Sequence, residues 1–401
     1  MSEAAGRWFE SSRAGQQTPF PDCCLITFEE DIMTKQHKIY SDFIDGKALA
    51  QFFSALSQPW AVKGALMPDA HAGYSLPIGA VVATENVVVP AWVGFDIGCG
   101  MLAVETTFET EAVRGKAKDI FNAIYRDVPV GFAHNAKASQ WVAGEALPRS
   151  NALQGILDRK GMTDLHSLGG GNHFIEIGAD ERDRVWIVIH SGSRNLGHSV
   201  ATHYMKLAAG DGRAREGHYP LSVASEAGRD YLADLAFCLE YALENRCGMV
   251  ARIEKAIGKQ VRAGKVVWDS LINRNHNHAE IRDGVWIHRK GATHAEADMM
   301  GVIPGNMRDG SFIVRGKGNP EALCSSAHGA GRVMGRAEAK AKLDMGVFRQ
   351  EMEDRGIRAR VEAATLDESA SAYKDIFEVM AMQRDLVEVL HHIKPIINIK
   401  G

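Results

Sequence analysis

The chain has 401 residues, 45% hydrophobic and 24% charged, with 46 Lys and Arg against 50 Asp and Glu for a formal net charge of -4. That balance excludes a disordered chain and a collagen-like fibre. Apolar runs such as Ala80 to Ala83 and Trp186 to Ile189 fall far short of the roughly 18 residues a membrane-spanning helix needs. The first residues, Met1 to Arg7, carry no apolar signal core, so a cytoplasmic protein with no membrane partner is expected. Six cysteines (Cys23, Cys24, Cys99, Cys238, Cys247, Cys324) without a C-x-x-C pair form neither a disulfide framework nor a structural zinc site, so any working cysteine acts singly.

Periodicity predicts a short helix over Ala48 to Leu56. Strands follow at Gly79 to Val89 and Met101 to Thr106, flanking the tight glycine loop Val93 to Gly100. Glu111 to Asp127 reads as helix, and Phe174 to Ile177 and Val185 to Ile189 as strands, each strand adjoining a polar glycine cluster. The clearest helix runs from about Asp230 to Val261, with Leu232, Leu235, Leu239, Leu243, Val250, Ile253 and Ile257 at three- and four-residue steps, and it reads as scaffold. Gly284 to His288 and Ser311 to Val314 read as strands, Arg332 to Leu343 as a basic helix, and Ile376 to Ile393 as a helix before an apolar ending. Strands and helices intermix without regular alternation or a Rossmann fingerprint, which predicts an α+β fold. No linker, repeat or low-complexity tract marks a boundary, so residues 1–401 read as one large domain.

Two residue clusters carry chemistry. Asp96 and Cys99 lie three apart in the glycine loop, where a thiolate and a carboxylate can face one cation, and a thiolate can bridge two metals. Alone, Cys99 reads as a small buried apolar residue. His173 and His190, each where a strand meets a glycine cluster, and the run Asn275-His276-Asn277-His278 strengthen the metal reading, because imidazole, carboxylate and thiolate together make a transition-metal site. Ligand softness by itself favours Zn²⁺. Gly169 to Asn172, Pro304 to Met307 and Ser325 to Arg332 supply glycine-rich backbone of the kind that cradles phosphate, and His328 inside the last reads as either a nucleophile or a capping residue. Arg308, Arg315, Lys317, Arg332, Arg336 and Lys340 make a local basic face, either a solvated helix side or a track for a nucleic-acid backbone.

Seven segments resemble the RtcB-type RNA-splicing ligases in family order: Met67 to Gly73, Val93 to Met101, Gly171 to Glu176, His190 to Arg194, Ile303 to Gly305, Ser311 to Gly316 and His328 to Arg332. The resemblance runs from about Met67 to Gly401; residues 1–66 carry no recognisable motif. It implies an α+β fold of mixed and antiparallel sheets with flanking helices around a central two-metal cleft. It also implies a GTP- and Mn²⁺-dependent ligase, acting in tRNA splicing or RNA repair, that joins 2′,3′-cyclic phosphate or 3′-phosphate RNA ends to 5′-hydroxyl ends. A monomer is expected. By residue-wise carry-over, Asp96, Cys99 and His173 hold one Mn²⁺, and Cys99, His190 and His276 the other. His328 becomes guanylylated. Nucleotide contacts fall on Asn172, His173, Phe174, Ile175, Glu176, His276, Asn277, Pro304, Gly305, Asn306, Met307, Ser311, His328, Gly329, Ala330, Gly331 and Lys400. The family's metal choice replaces the Zn²⁺ expectation from ligand softness.

The chain departs from the family pattern at Ala327, where a Ser is usual before the guanylylated His, and at Asn306, where the family has Ser. His278 remains an alternative to His276 as third metal histidine. Two other readings use part of the same residues: a phosphodiesterase that only opens cyclic phosphates, needing neither His328 nor Lys400, and a non-catalytic RNA-end-binding protein.

Overall fold

The computed structural model describes residues 35–215 and 217–401, with Lys160 described in its backbone alone; the N-terminal segment and Cys23 and Cys24 lie outside the described residues. In chain order the elements that build the site are β1 (Gln36–Ile39), α1 (Gly46–Leu56), β2 (Ala61–His71), β3 (Ile78–Thr84), β4 (Gly100–Glu109) and α2 (Ala117–Asp127). Next come β5 (Phe174–Ala179), β6 (Arg184–Ser191), α3 (Arg194–Ala209), α4 (Glu226–Gly258), β7 (Ile272–Asn275), β8 (Asn277–Arg282), β9 (Val285–Lys290) and β10 (Ala292–His294). The last are β11 (Met300–Pro304), β12 (Ser311–Gly316), β13 (Ser325–Ala327), α5 (Arg336–Lys342), α6 (Met345–Asp354), α7 (Ile376–Met382) and β14 (Val387–Lys400).

Two sheets dominate. The smaller runs β1-β2-β3-β9-β8, antiparallel except for the parallel β1/β2 edge; the larger runs β11-β12-β14-β5-β6-β4-β7, antiparallel throughout that order, with Arg358–Ala359 added in parallel on β14. This is the expected α+β architecture of largely antiparallel sheets with helices. Among the described residues no helix is long and apolar enough to cross a membrane.

α4 is 33 residues long and starts at Ser225, whose side chain accepts the Gly228 amide. Its apolar stripe, including Met249, Val250, Ile253 and Ile257, packs with Ile120, Phe121 and Ile124 of α2 against Ile175, Ile177, Ile187 and Ile189 of the larger sheet. The helix expected over Glu111 to Asp127 is broken at Lys116 into Thr110–Gly115 and α2.

The helix expected over Ile376 to Ile393 is wrong beyond its first two turns. α7 stops at Met382, and Val387 to Lys400 form a 14-residue strand lying between β12 and β5. The stretch is rich in β-branched residues, and its place inside the larger sheet overrode the apolar spacing that also fits a helix.

A candidate metal centre at the junction of the two sheets

The register of the larger sheet brings the metal candidates together. Gly100 pairs with Ser191 on one side and Asn275 on the other, and Phe174 pairs with His190. Cys99, His173, His190 and His276 are each at, or one residue from, that row. His276 is the single residue between β7 of the larger sheet and β8 of the smaller one, so it stands where the chain crosses between sheets. Two glycines permit the closeness. A Cβ on Gly100 would lie 2.5 Å from the Arg274 carbonyl oxygen, and one on Gly192 would lie 2.4 Å from Asp96 Oδ1.

Cys99 Sγ is 3.4 Å from His173 Nε2 and 3.2 Å from His190 Nε2. His173 Nε2 is 3.0 Å from Asp96 Oδ2, and His190 Nε2 is 3.2 Å from His276 Nε2. His278, the alternative ligand, is elsewhere: it stacks on His294 and receives Arg289 Nη1.

The imidazoles are oriented from behind. His173 Nδ1 is 3.0 Å from the Leu168 carbonyl and His190 Nδ1 is 3.2 Å from the Asn172 carbonyl. A carbonyl only accepts, so each Nδ1 carries the proton and each Nε2 turns a lone pair on the sulfur and carboxylate. Burial first, then neighbouring imidazoles such as His173 and His328, hold the His190 and His276 pKa values well below the ordinary range, leaving the neutral form that ligates. Burial, reinforced by the Asp96 carboxylate, pushes the Cys99 thiol well up, so a thiolate here requires a cation. Imidazole lone pairs and a carboxylate converging on a thiol that a cation would deprotonate fit a transition-metal centre, and Cys99 sits where its sulfur can serve two ions.

Arg246 supports this centre from α4. Fully buried, it donates to Gly98 O at 3.0 Å, Ser191 O at 2.6 Å, Asn275 Oδ1 at 2.8 Å and Asn273 Oδ1 at 2.9 Å. Gly98, Ser191 and Asn275 each adjoin a candidate ligand. Sequence reasoning took α4 for scaffold alone; the available signal was a charged residue at 246 in step with Ala242, Met249 and Ile253 on the buried stripe. Arg246→Met leaves several buried acceptors unpaired and is expected to lower the unfolding free energy of the metal-free protein by about 3–5 kcal/mol in urea titration; wild-type stability would refute the clamp.

His328 follows β13, its ring centroid 4.8 Å from that of His276. Its Nδ1 lies 2.7 Å from Oδ2 of the fully buried Asp69, and its backbone amide donates to the same oxygen at 3.2 Å. The carboxylate only accepts, so Nδ1 carries the proton toward it, and the neutral ring then has its lone pair on Nε2. Asp69 was quoted in the sequence motif without a role; its partner is 259 residues away, so no local pattern could reveal the pairing.

The remaining predicted contacts divide. Phe174 and Glu176 face one side of β5 while Ile175 points into the helix-side core. Lys400 Nζ lies 4.9 Å from the Phe174 ring centroid and 2.6 Å from Glu368 Oε2. Gly329 packs toward the Pro304 carbonyl, so the 304–307 and 328–331 loops adjoin. Within the first, Gly305 closes on Gly310 O, the Asn306 side chain is spent on Asp309 and the Arg308 amide, and Met307 packs with Phe348 and Met352. The Asn277 amide bridges Asp96 O and Gly291 N. Ser311 and Ala330 are buried, Gly331 packs on Asp69, and Ala327 fills an apolar cluster. Much of the basic face is paired with carboxylates while Arg315, Lys317, Arg336 and Lys340 stay exposed: Arg332, Arg336, Lys340 and Lys400 converge on Asp367 and Glu368, and Arg308 pairs with Asp309 and Glu351.

Glu176 is buried beside this group. Burial pushes its carboxyl to about 8, against the opposing pull of Ser311, Lys400 and Asn398. An acid raised in the folded state binds a proton the unfolded chain has released, so stability falls as pH rises from about 4.5 toward 8. Glu176→Gln is therefore expected to raise the melting temperature of the ligand-free protein more at pH 8 than at pH 5; an equal shift at both would contradict the protonation.

Fold and site together define an α+β protein with a thiol–imidazole–carboxylate cluster beside a carboxylate-anchored histidine. A family model described as tRNA-splicing ligase RtcB matches residues 51–154 and 143–401. The chain is 35% identical to the RNA-splicing ligase RtcB of Escherichia coli strain K12, covering 89% of this chain and 95% of that one. It is 27% identical to the tRNA-splicing ligase RtcB of Nanoarchaeum equitans, covering 91% and 94%, and 30% identical to that of Aeropyrum pernix, covering 78% and 82%. The chain belongs to the RtcB family.

Proposed function

We propose that this protein is a GTP- and Mn²⁺-dependent RNA ligase joining 3′-phosphate or 2′,3′-cyclic phosphate ends to 5′-hydroxyl ends. The observation that carries the reading is His328, held through Nδ1 by Asp69 and with its ring against His276 at the cluster. Asp96, Cys99 and His173 would hold one Mn²⁺ and Cys99, His190 and His276 the other, supplying the positive charge that offsets negative charge gathering on phosphoryl oxygens.

The chain's own residues account for the rest. His328 Nε2 attacks the α-phosphorus of GTP, pyrophosphate leaves, and the N–P bond formed stores GMP on the ring. Asp69 stabilises the positive charge that the ring acquires as that bond forms. The 3′-phosphate, released by hydrolysis where the end is cyclic, attacks the stored GMP and frees His328. The 5′-hydroxyl of the second strand then displaces GMP and closes the phosphodiester. The glycine loops at 169–172, 304–307 and 328–331 offer backbone amides for the nucleotide phosphates, and Phe174, Glu176, Ser311 and Lys400 offer a polar and aromatic wall for guanosine.

Intact-protein mass after incubation with GTP and Mn²⁺ tests the reading, with His328→Ala alongside. A gain of one GMP in the wild type and none in the variant is expected. No adduct in the wild type would overturn the proposal and favour a phosphodiesterase using the metal centre alone.

A further inference from the structure

Three aromatic rings from separate parts of the chain meet where the metal centre approaches solvent. Tyr74 lies three residues after β2, Phe95 directly precedes Asp96, and His198 is near the start of α3. Phe95 and His198 stack with centroids 5.0 Å apart and planes at 22°, and Tyr74 meets Phe95 at 5.9 Å and 87°. Tyr74 is 57% exposed, His198 is exposed and Phe95 half-buried. The Asp96 side chain is 38% exposed, whereas Cys99, His173, His190 and His276 are buried, so the centre opens on the Asp96 side. A pocket of about 200 Å³ lined by Tyr74, Phe95, Arg215 and Lys290 adjoins the rings, and Lys290 Nζ is 5.7 Å from the Tyr74 centroid.

Isolated exposed aromatics are ordinary, but a ring cluster at the open edge of a reactive centre is the composition that binds single-stranded nucleic acid by base stacking; the two cations beside it are engaged, Lys290 buried with its ammonium on Ala91 O and Arg215 paired with Asp211. Resting on the ligase reading above, we infer that Tyr74, Phe95 and His198 stack the terminal base of the RNA strand whose 3′-phosphate enters the metal centre. Phe95 and Asp96 are chain neighbours, so the rings stand within one nucleotide's reach of a ligand carboxylate. Stacking tolerates any base, as the joining of ends with varied sequence requires. The platform fixes the strand by its last base while leaving the phosphate free to move between the metals and His328.

The test uses the full-length protein with Mn²⁺, no GTP, and a short RNA ending in 2-aminopurine and a 3′-phosphate. Stacking quenches that base, so strong quenching is expected in the wild type and little in Tyr74→Ala or His198→Ala. Dissociation constants from anisotropy should rise about five- to tenfold in each alanine variant, the low end for loss of one base–aromatic stack. Tyr74→Phe should retain both properties, and a 2-aminopurine placed at a 5′-hydroxyl end should stay bright. Equal quenching in wild type and both alanine variants, or quenching only at the 5′-hydroxyl end, overturns the platform. GMP adduct formation in the same preparations needs no RNA and separates the two failures. An adduct with an unquenched probe removes the platform alone, whereas no wild-type adduct removes the ligase reading beneath it.

Discussion

Cys99→Ala is expected to abolish binding of both metal ions, with affinity lowered more than about a hundredfold, and to abolish RNA joining. The reason is position. Cys99 Sγ lies within 3.4 Å of His173 Nε2 and 3.2 Å of His190 Nε2, the two imidazoles assigned to different ions. Removing the sulfur takes one donor from each ion, whereas His173→Ala or His276→Ala takes a donor mainly from one. Even outer partners of a metal ligand are worth roughly 10- to 100-fold in affinity, which sets the lower bound for a ligand itself. Metal content after dialysis, with titration calorimetry for Mn²⁺, measures the effect. Two ions per chain in Cys99→Ala, held with wild-type affinity, would remove the bridging role. The metal-free variant should fold normally, because the buried sulfur is a neutral thiol until a cation arrives.

Cys99 was legible in the sequence only as a type of residue in a type of loop. The glycine clusters at 93–100, 169–173 and 190–194 marked strand ends, and the strands they flank formed much as expected. What a linear reading lacks is register. Cys99, His173, His190 and His276 meet because Gly100, Ser191, Asn275 and Phe174 occupy connected positions in the pairing of β4, β5, β6 and β7. The choice of His276 over His278 likewise follows from the crossing between sheets: one residue precedes β8, and its neighbour two places on sits among Arg289, Glu280 and His294. The pairing of the basic face was hidden for a related reason. Helical spacing collects Arg332, Arg336 and Lys340, but their carboxylate partners Asp367 and Glu368 lie more than 25 residues on. β14 was missed because its apolar positions fit both periods, and only a place between β12 and β5 decides for strand.

Asp69→Asn should slow formation of the GMP adduct by about a hundredfold or more while leaving metal content intact. Asp69 Oδ2 is 2.7 Å from His328 Nδ1, and its other oxygen, Oδ1, has no hydrogen-bond partner. Two effects act through the one contact. The carboxylate holds the proton on Nδ1, so Nε2 faces the phosphorus as a lone pair, and it stabilises the cationic ring as the N–P bond forms. An amide at 69 supplies neither charge nor an unambiguous acceptor, and in a serine-protease triad the same exchange costs about 10⁴-fold. The rate of mass gain with GTP across pH 6 to 9 is the measurement, with His328→Ala as the zero. A wild-type rate in Asp69→Asn across that range would reduce Asp69 to a packing contact of the Gly331 turn.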